Sequence, residues 1–193
     1  MFHQALLRVN RDELGAALRE HAYLEGDFVL RSGRRSRYYL DKYRFETRPD
    51  LLGPLGGLIS AAVREHDPEA VRLAGPELGA VALAAAASLA SGLPFLIVRK
   101  EAKEYGTANR LEGVFEEGER VCLVEDVVTS GGAAIEAVEA LREARLEVAT
   151  AVCVVDREEG GAAALAEAGV YMQALFRASD LMSTPKSAAN PHG

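Results

Sequence analysis

The chain has 193 residues, 49% hydrophobic and 26% charged, which suits one globular domain with a sizeable core. Its net charge of −7 and pI of about 5.2 argue against a general nucleic-acid-binding surface. The longest low-polarity run, AVALAAAASLA (80–90), is too short to span a bilayer, and the N-terminal MFHQALLRVNRDEL has no signal-peptide core. The expectation is a cytoplasmic protein with no membrane contact.

In chain order, residues 2–22 have helical spacing, with Leu6, Leu7, Leu14, Ala17, Leu18 and Ala22 able to share a face. FVLRSGRRSRYYLD (28–41) reads as two short strands around a glycine-containing turn. RPDLLGPLGGLISAAVREH (48–66) predicts a helix opened by Pro49 and Asp50. VRLAG (71–75) is a strand, PELG a turn and AVALAAAASLA a helix; PFLIV (94–98) is a strand that runs into a polar loop ending near 118. VCLV (121–124) is a strand and GAAIEAVEALREA (132–144) an amphipathic helix, after which VATAVCVVD (148–156) and VYMQALF (170–176) complete the pattern. Short apolar strands alternating with helices imply an α/β fold, a parallel sheet with helices on both faces, behind a small N-terminal subdomain. STPKSAANPHG (183–193) lacks apolar periodicity and reads as a loose C-terminal tail.

Cys122 and Cys153 each sit inside an apolar strand-like run, which favours buried free thiols, and no Cys/His cluster has zinc-ligand spacing. Half of the 22 Lys and Arg residues fall in two windows, 31–48 and 99–110. Local cation clusters on an acidic chain point to a small, highly anionic ligand.

VCLVEDVVTSGG (121–132) carries the most chemistry. In open parallel α/β sheets ligands bind beyond the carboxyl ends of the strands, and VCLV delivers Glu125 and Asp126 there. TSGG adds two hydroxyls and backbone freedom, and the next helix presents unpaired N–H groups, an anion site suited to a phosphate monoester. Carboxylates would repel that phosphate, so they must face another part of the ligand, and sugar hydroxyls are natural donors to them. The motif thus describes a ribose 5-phosphate, with its diol on the acids and its phosphate on the turn. The plain alternative is a strand end with solvated acids and a glycine turn. No G-x-G-x-x-G fingerprint follows a strand, and no P-loop is present.

VCLVEDVVTSGGA resembles the phosphoribosyl-diphosphate (PRPP) signature of type I phosphoribosyltransferases. RKEAKEYGTANRLEG (99–113) resembles the mobile catalytic loop of orotate phosphoribosyltransferases, FVLRSGRRSRYYLD their base-binding strands, and VVDREEGG (154–161) their late Asp-Arg element. With GPELGA (75–80), the resemblance reaches from the N-terminal strands to about residue 180. It implies a single phosphoribosyltransferase domain over 1–182, with a base-binding subdomain at 1–45 and a PRPP-binding α/β core at 70–176. It also implies transfer of the phosphoribosyl group from PRPP to orotate, giving orotidine 5′-monophosphate and pyrophosphate.

The resemblance assigns catalytic roles to Lys100, Lys103 and Asp126. It puts PRPP on Arg99, Lys100, Lys103, Tyr105, Glu125, Asp126, Val127, Val128, Thr129, Ser130, Gly131, Gly132 and Ala133, and on Glu77 and Leu78 of the earlier turn. Orotate falls to Arg31, Tyr39, Leu40, Thr129 and Arg157. Fixed cations around the departing diphosphate would stabilise its growing charge, and Gly106 and Gly113 would let the loop close. Arg157 offers a bidentate fork to a carboxylate; its plain alternative is an ion pair with Glu158 or Glu159. Mg2+ would arrive on PRPP, with no metal held mainly by the protein. A homodimer is implied, loop 99–113 reaching the neighbouring site. Tyr105 stands where the family loop often has histidine, Arg31 where lysine is usual, and GPELGA lacks a lysine that many members place on the diphosphate. Two rivals are a phosphoribosyltransferase for another base and a nucleotide-sensing regulator that binds nucleic acid through RSGRRSR. The low pI and the lack of a helix-turn-helix segment weigh against the regulator.

Overall fold

The computed structural model describes residues 10–29, 33, 35–101 and 110–183. Helix α1 (Arg11–Ala22) begins where the Asn10 side chain accepts the Asp12 N–H, and Leu14, Leu18 and Ala22 form its buried stripe as their spacing predicts. The part of that expected helix before residue 10 lies outside the described residues, as does the tail after Ser183. Strands β1 (Tyr23–Val29) and β2 (Arg35–Leu40) pair antiparallel in a sheet of their own, so the first strand starts at Tyr23 rather than near Phe28. The sequence pattern does not predict α2 (Tyr43–Glu46), a single turn too short to show a period. Helix α3 (Pro49–His66) starts as expected, with Pro49 in its first turn and Asp50 near its positive end.

The remaining elements are β3 (Arg72–Pro76), α4 (Gly79–Ser91), β4 (Phe95–Val98), β5 (Leu111–Glu112), β6 (Val121–Val128), α5 (Gly132–Glu143), β7 (Thr150–Asp156), α6 (Gly161–Glu167), β8 (Tyr171–Arg177) and α7 (Ala178–Ser183). The second sheet has the order β5-β4-β3-β6-β7-β8. Its pairs are parallel except β5, which runs antiparallel to β4 through Ile97–Glu112 and Val98–Leu111. The parallel sheet expected from the strand–helix alternation is present, with one antiparallel two-residue strand, β5, added at its edge. Two residues returning from the 99–110 connection pair back on the edge, and a two-residue strand carries no alternation to read.

Both faces of this sheet are covered. Cys122, Val124, Val152 and Val154 pack with Leu14, Leu55, Ile59, Leu83 and Phe45 on the face of α1, α3 and α4. Leu123, Val128, Ala151 and Cys153 pack with Ala137, Val138, Leu141 and Leu165 on the face of α5 and α6. Every residue of β7 is buried, as a strand covered on both sides requires. Burying one Leu fully contributes roughly 1.5–3 kcal/mol. Side chains such as Leu83 therefore hold α4 in place even though no side chain caps its first turn. Cys122 and Cys153 are free and buried, and burial pushes both thiols well above their ordinary range. No helix among the described residues is long and apolar enough to cross a membrane.

Candidate active site

The chain leaves β3 for β4 on one side and resumes at β6 on the other, so the direction of winding reverses between β3 and β6. The crevice beyond the carboxyl ends of strands at such a point is where open α/β sheets bind ligands. A cavity of about 280 Å³ lies there. Its first wall is the turn from Pro76 to Gly79, and its second runs from Glu125 through Ala134. Lys42 and Tyr43 close it from the side of β2, and Lys100 from the end of β4.

Gly131 caps α5 with φ +87°, a left-handed conformation that favours glycine, and among the described residues no side chain caps α4 or α5. Two helix N-termini therefore point unclaimed N–H groups at the cavity. The acids sit deeper than expected. β6 runs on through Glu125 and Asp126 to Val128, so the pair lies within the strand rather than beyond its end, at 7% and 5% exposure. Continuous pairing with β7 as far as Val128 is the reason.

Lys42 Nζ donates to Asp126 Oδ2 at 2.6 Å, and the Val127 N–H donates to Asp126 Oδ1. Gly79 faces this contact. A Cβ there would collide with Asp126 Oδ2 and would lie 2.7 Å from Lys42 Nζ and 2.9 Å from Glu46 Oε1. Glycine at 79 thus admits three polar groups to one point at the start of α4. Burial pushes the Glu125 carboxyl up to about 8, with a further push from Asp126, and Oε1 of Glu125 has no hydrogen-bond partner among the described residues. Glu46 is pushed upward by burial first and then by Asp126. As carboxylates Glu46 and Asp126 repel each other; a proton on Glu46 turns their contact into a hydrogen bond.

A sequence model of the phosphoribosyl transferase domain matches residues 47–171. The orotate phosphoribosyltransferase of Halobacterium salinarum is 51% identical over 172 residues, covering 89% of this chain and 96% of that protein. That of Methanocella arvoryzae is 50% identical over 81% of this chain and 88% of its own. The chain belongs to the orotate phosphoribosyltransferase family. The crystal structure of the Mycobacterium tuberculosis orotate phosphoribosyltransferase superposes with a TM-score of 0.79 at 32% identity, covering 89% of this chain and 98% of that one. The same enzyme solved in complex with PRPP gives 0.76 at 30% identity, with the same coverage.

Against this family's pattern, the cavity brings together Glu77, Leu78, Lys100, Glu125, Asp126, Val127, Val128, Thr129, Ser130, Gly131, Gly132 and Ala133. Arg99 is not on its lining and pairs instead with Glu77 at 3.8 Å and Glu112 at 3.6 Å. Arg31, Lys103 and Tyr105 lie outside the described residues, as does Gly106. Leu40, at 7% exposure, packs in the core with residues of α1 and α3 and is not on the cavity lining. Tyr39 is 43% exposed and rests against Phe28, outside the cavity lining. Tyr38 stacks on Tyr23 with 5.0 Å between ring centroids.

Arg157 lies over the Tyr38 ring at 4.6 Å and pairs with Glu159 at 3.1 Å, and its Nε is buried without a hydrogen-bond partner among the described residues. Arg157 thus pairs with Glu159 through a side chain that is only 7% exposed. Lys42, Tyr43, Glu46 and Gly79 were not expected at the site. Lys42 lay within the basic 31–48 window, the one signal pointing to it. Glu46, on a single helical turn, left none.

The raised carboxyls have a stability consequence. Between pH of about 5 and 8 the folded protein holds protons on Glu125 and Glu46 that the unfolded chain releases, so stability falls as pH rises through that window. The ligand-free protein should melt several degrees lower at pH 9 than at pH 6. Glu125→Gln, neutral throughout, should show a shallower fall; equal slopes for the two proteins would mean that Glu125 is not the group responsible.

Proposed function

We propose that this protein transfers the 5-phosphoribosyl group from PRPP to orotate, forming orotidine 5′-monophosphate and pyrophosphate in pyrimidine biosynthesis. One observation carries the reading. At the sheet's switch point a single cavity combines two buried acids with a hydroxyl-and-glycine turn at a helix N-terminus. That pairing matches the two ends of a ribose 5-phosphate, and the orotate phosphoribosyltransferases at about half identity supply the acceptor base.

Thr129 to Ala133 would hold the 5-phosphate, with α5 behind it. Glu125 and Asp126 would accept the ribose hydroxyls and stand near the ring as it gains positive charge. The bond from C1 to the diphosphate oxygen breaks, its electron pair leaves with pyrophosphate, and orotate nitrogen forms the new bond to C1 as its proton is lost. That nitrogen is acidic, so no general base is assigned. Lys100, Arg99, Lys103 and Tyr105 would gather around the diphosphate, with Glu77 and Leu78 forming the turn beside it. Arg31, Tyr39, Leu40, Thr129 and Arg157 are the groups assigned to orotate, the first three within a base-binding subdomain spanning 1–45. PRPP binding falls to the 70–176 core of one 1–182 domain.

Mg2+ would enter with PRPP and neutralise diphosphate charge. Among the described residues no cluster of three or more His, Cys, Asp or Glu is arranged to hold a metal. The oxygen-only pair Glu125 and Asp126 suits a hydrated hard ion carried by the substrate. The same reading has the enzyme act as a cytoplasmic homodimer, loop 99–113 reaching the neighbouring site.

The deciding assay supplies PRPP and Mg2+ with orotate, uracil, adenine and hypoxanthine in parallel. Turnover of orotate alone is expected. Turnover of another base without orotate would replace this reading with that of a different phosphoribosyltransferase.

Arg157→Ala should raise KM for orotate far more than KM for PRPP. Losing a desolvated charge-assisted contact costs roughly 2–5 kcal/mol, a change that is easily measured. An equal effect on both substrates would make Arg157 a structural clamp on Tyr38.

A further inference from the structure

Among the described residues the cavity is walled by three carboxylates, Glu77, Glu125 and Asp126, and two ammonium groups, Lys42 and Lys100. Such a wall repels a diphosphate unless its cations are free to meet it. Lys100 is exposed, and its backbone N–H is tied to Glu77 Oε1 at 2.8 Å. The turn from Pro76 to Gly79 carries an acid at 77, a leucine at 78 and no cation. An ammonium from another part of the chain reaches that turn: Lys42 Nζ lies 2.7 Å from where a Cβ on Gly79 would be. It therefore stands at the uncapped N-terminus of α4, where two anion-attracting features coincide.

This ammonium is engaged with Asp126 Oδ2, the group assigned to the ribose hydroxyls. Both partners of the 2.6 Å ion pair thus have a second use in the same cavity. We propose that Lys42 binds the diphosphate by exchanging partners: as PRPP enters, its ammonium passes from Asp126 to the diphosphate at the Pro76–Gly79 turn, releasing Asp126 Oδ2 to the ribose hydroxyls. This role deepens the proposed function and rests on it.

Three observations support the exchange. The Lys42 side chain keeps 34% of its surface exposed and lines the cavity, so it can turn toward a ligand without unpacking the core. Nζ also lies 5.4 Å from the centroid of the Tyr43 ring, whose face attracts the ammonium without fixing its direction. Glu46 lies behind Asp126 with its carboxyl shifted toward the protonated form, ready to donate to Asp126 when Lys42 departs.

The test compares binding of PRPP, pyrophosphate and ribose 5-phosphate to wild type, Lys42→Met and Lys42→Arg by calorimetry with Mg2+ present. The methionine variant should bind PRPP and pyrophosphate at least tenfold more weakly while binding ribose 5-phosphate as well as wild type or better; arginine should restore most of the loss. If Lys42→Met does not melt cooperatively, Lys42→Gln takes its place in the same titrations. Pyrophosphate binding equal to wild type would overturn the proposal. So would equal losses for pyrophosphate and ribose 5-phosphate, which would mean that Lys42 serves only to shape Asp126. A wild-type protein that binds neither PRPP nor pyrophosphate would remove the proposed function itself, and this role with it.

Discussion

Asp126→Asn should lower kcat on the order of 10²–10³-fold, the usual loss when one preorganised electrostatic group is removed from a reacting centre. The residue is 5% exposed and accepts hydrogen bonds from Lys42 Nζ and from the Val127 N–H. An amide has one acceptor oxygen, so it must turn its NH2 toward one of these donors. Some stability is lost with the ion pair, but the strand stays paired to β7 on both sides of the position. The expected result is therefore a folded protein with a melting temperature within several degrees of wild type and very slow turnover. Unchanged kinetics with unchanged melting would take Asp126 out of the reacting centre.

The second large effect joins that variant to the loop. Lys103→Ala and Asp126→Asn should each be nearly inactive as homodimers. If the 99–113 loop serves the neighbouring subunit, a mixed dimer gathers both lesions in one site and leaves the other intact. Random exchange makes half the dimers mixed, and half of their sites are whole, so activity should rise from near zero to about a quarter of wild type. The cations of the 99–110 window repel one another until a diphosphate gathers them, so closure should follow ligand binding. If loop and acids belong to one subunit's site, every site in a mixed dimer carries a lesion. No recovery after demonstrated subunit exchange would end the trans-loop assignment and leave the transferase reading in place.

The amino-acid sequence by itself determined the parts of this protein whose signal is local. Apolar runs of strand length placed β3, β4, β6, β7 and β8, and the spacing of Leu14, Leu18 and Ala22 placed the buried stripe of α1. VCLVEDVVTSGG placed acids, hydroxyls and glycines at the carboxyl end of one strand, because a strand, a left-handed glycine and a helix start are each encoded within a few residues. What lay beyond that reach was short or distant. A two-residue strand and a one-turn helix show no period, so β5 and α2 were invisible, and with α2 went the burial of Glu46. Alternation along β2 defines two faces, yet only packing against α1 and α3 sends Leu40 inward and leaves Tyr39 exposed.

Tertiary structure alone decided the partners. Lys42 and Asp126 are 84 residues apart, and they meet because the segment after β2 folds over the switch point and Gly79 leaves room for their contact. Arg157, just past the end of β7, likewise meets Tyr38 of β2 only in the folded chain. Local sequence specifies backbone direction and which residues can be buried. Which charge faces which is settled only when separate elements pack, since the energy that fixes the pair depends on a distance and a burial that neither residue carries on its own.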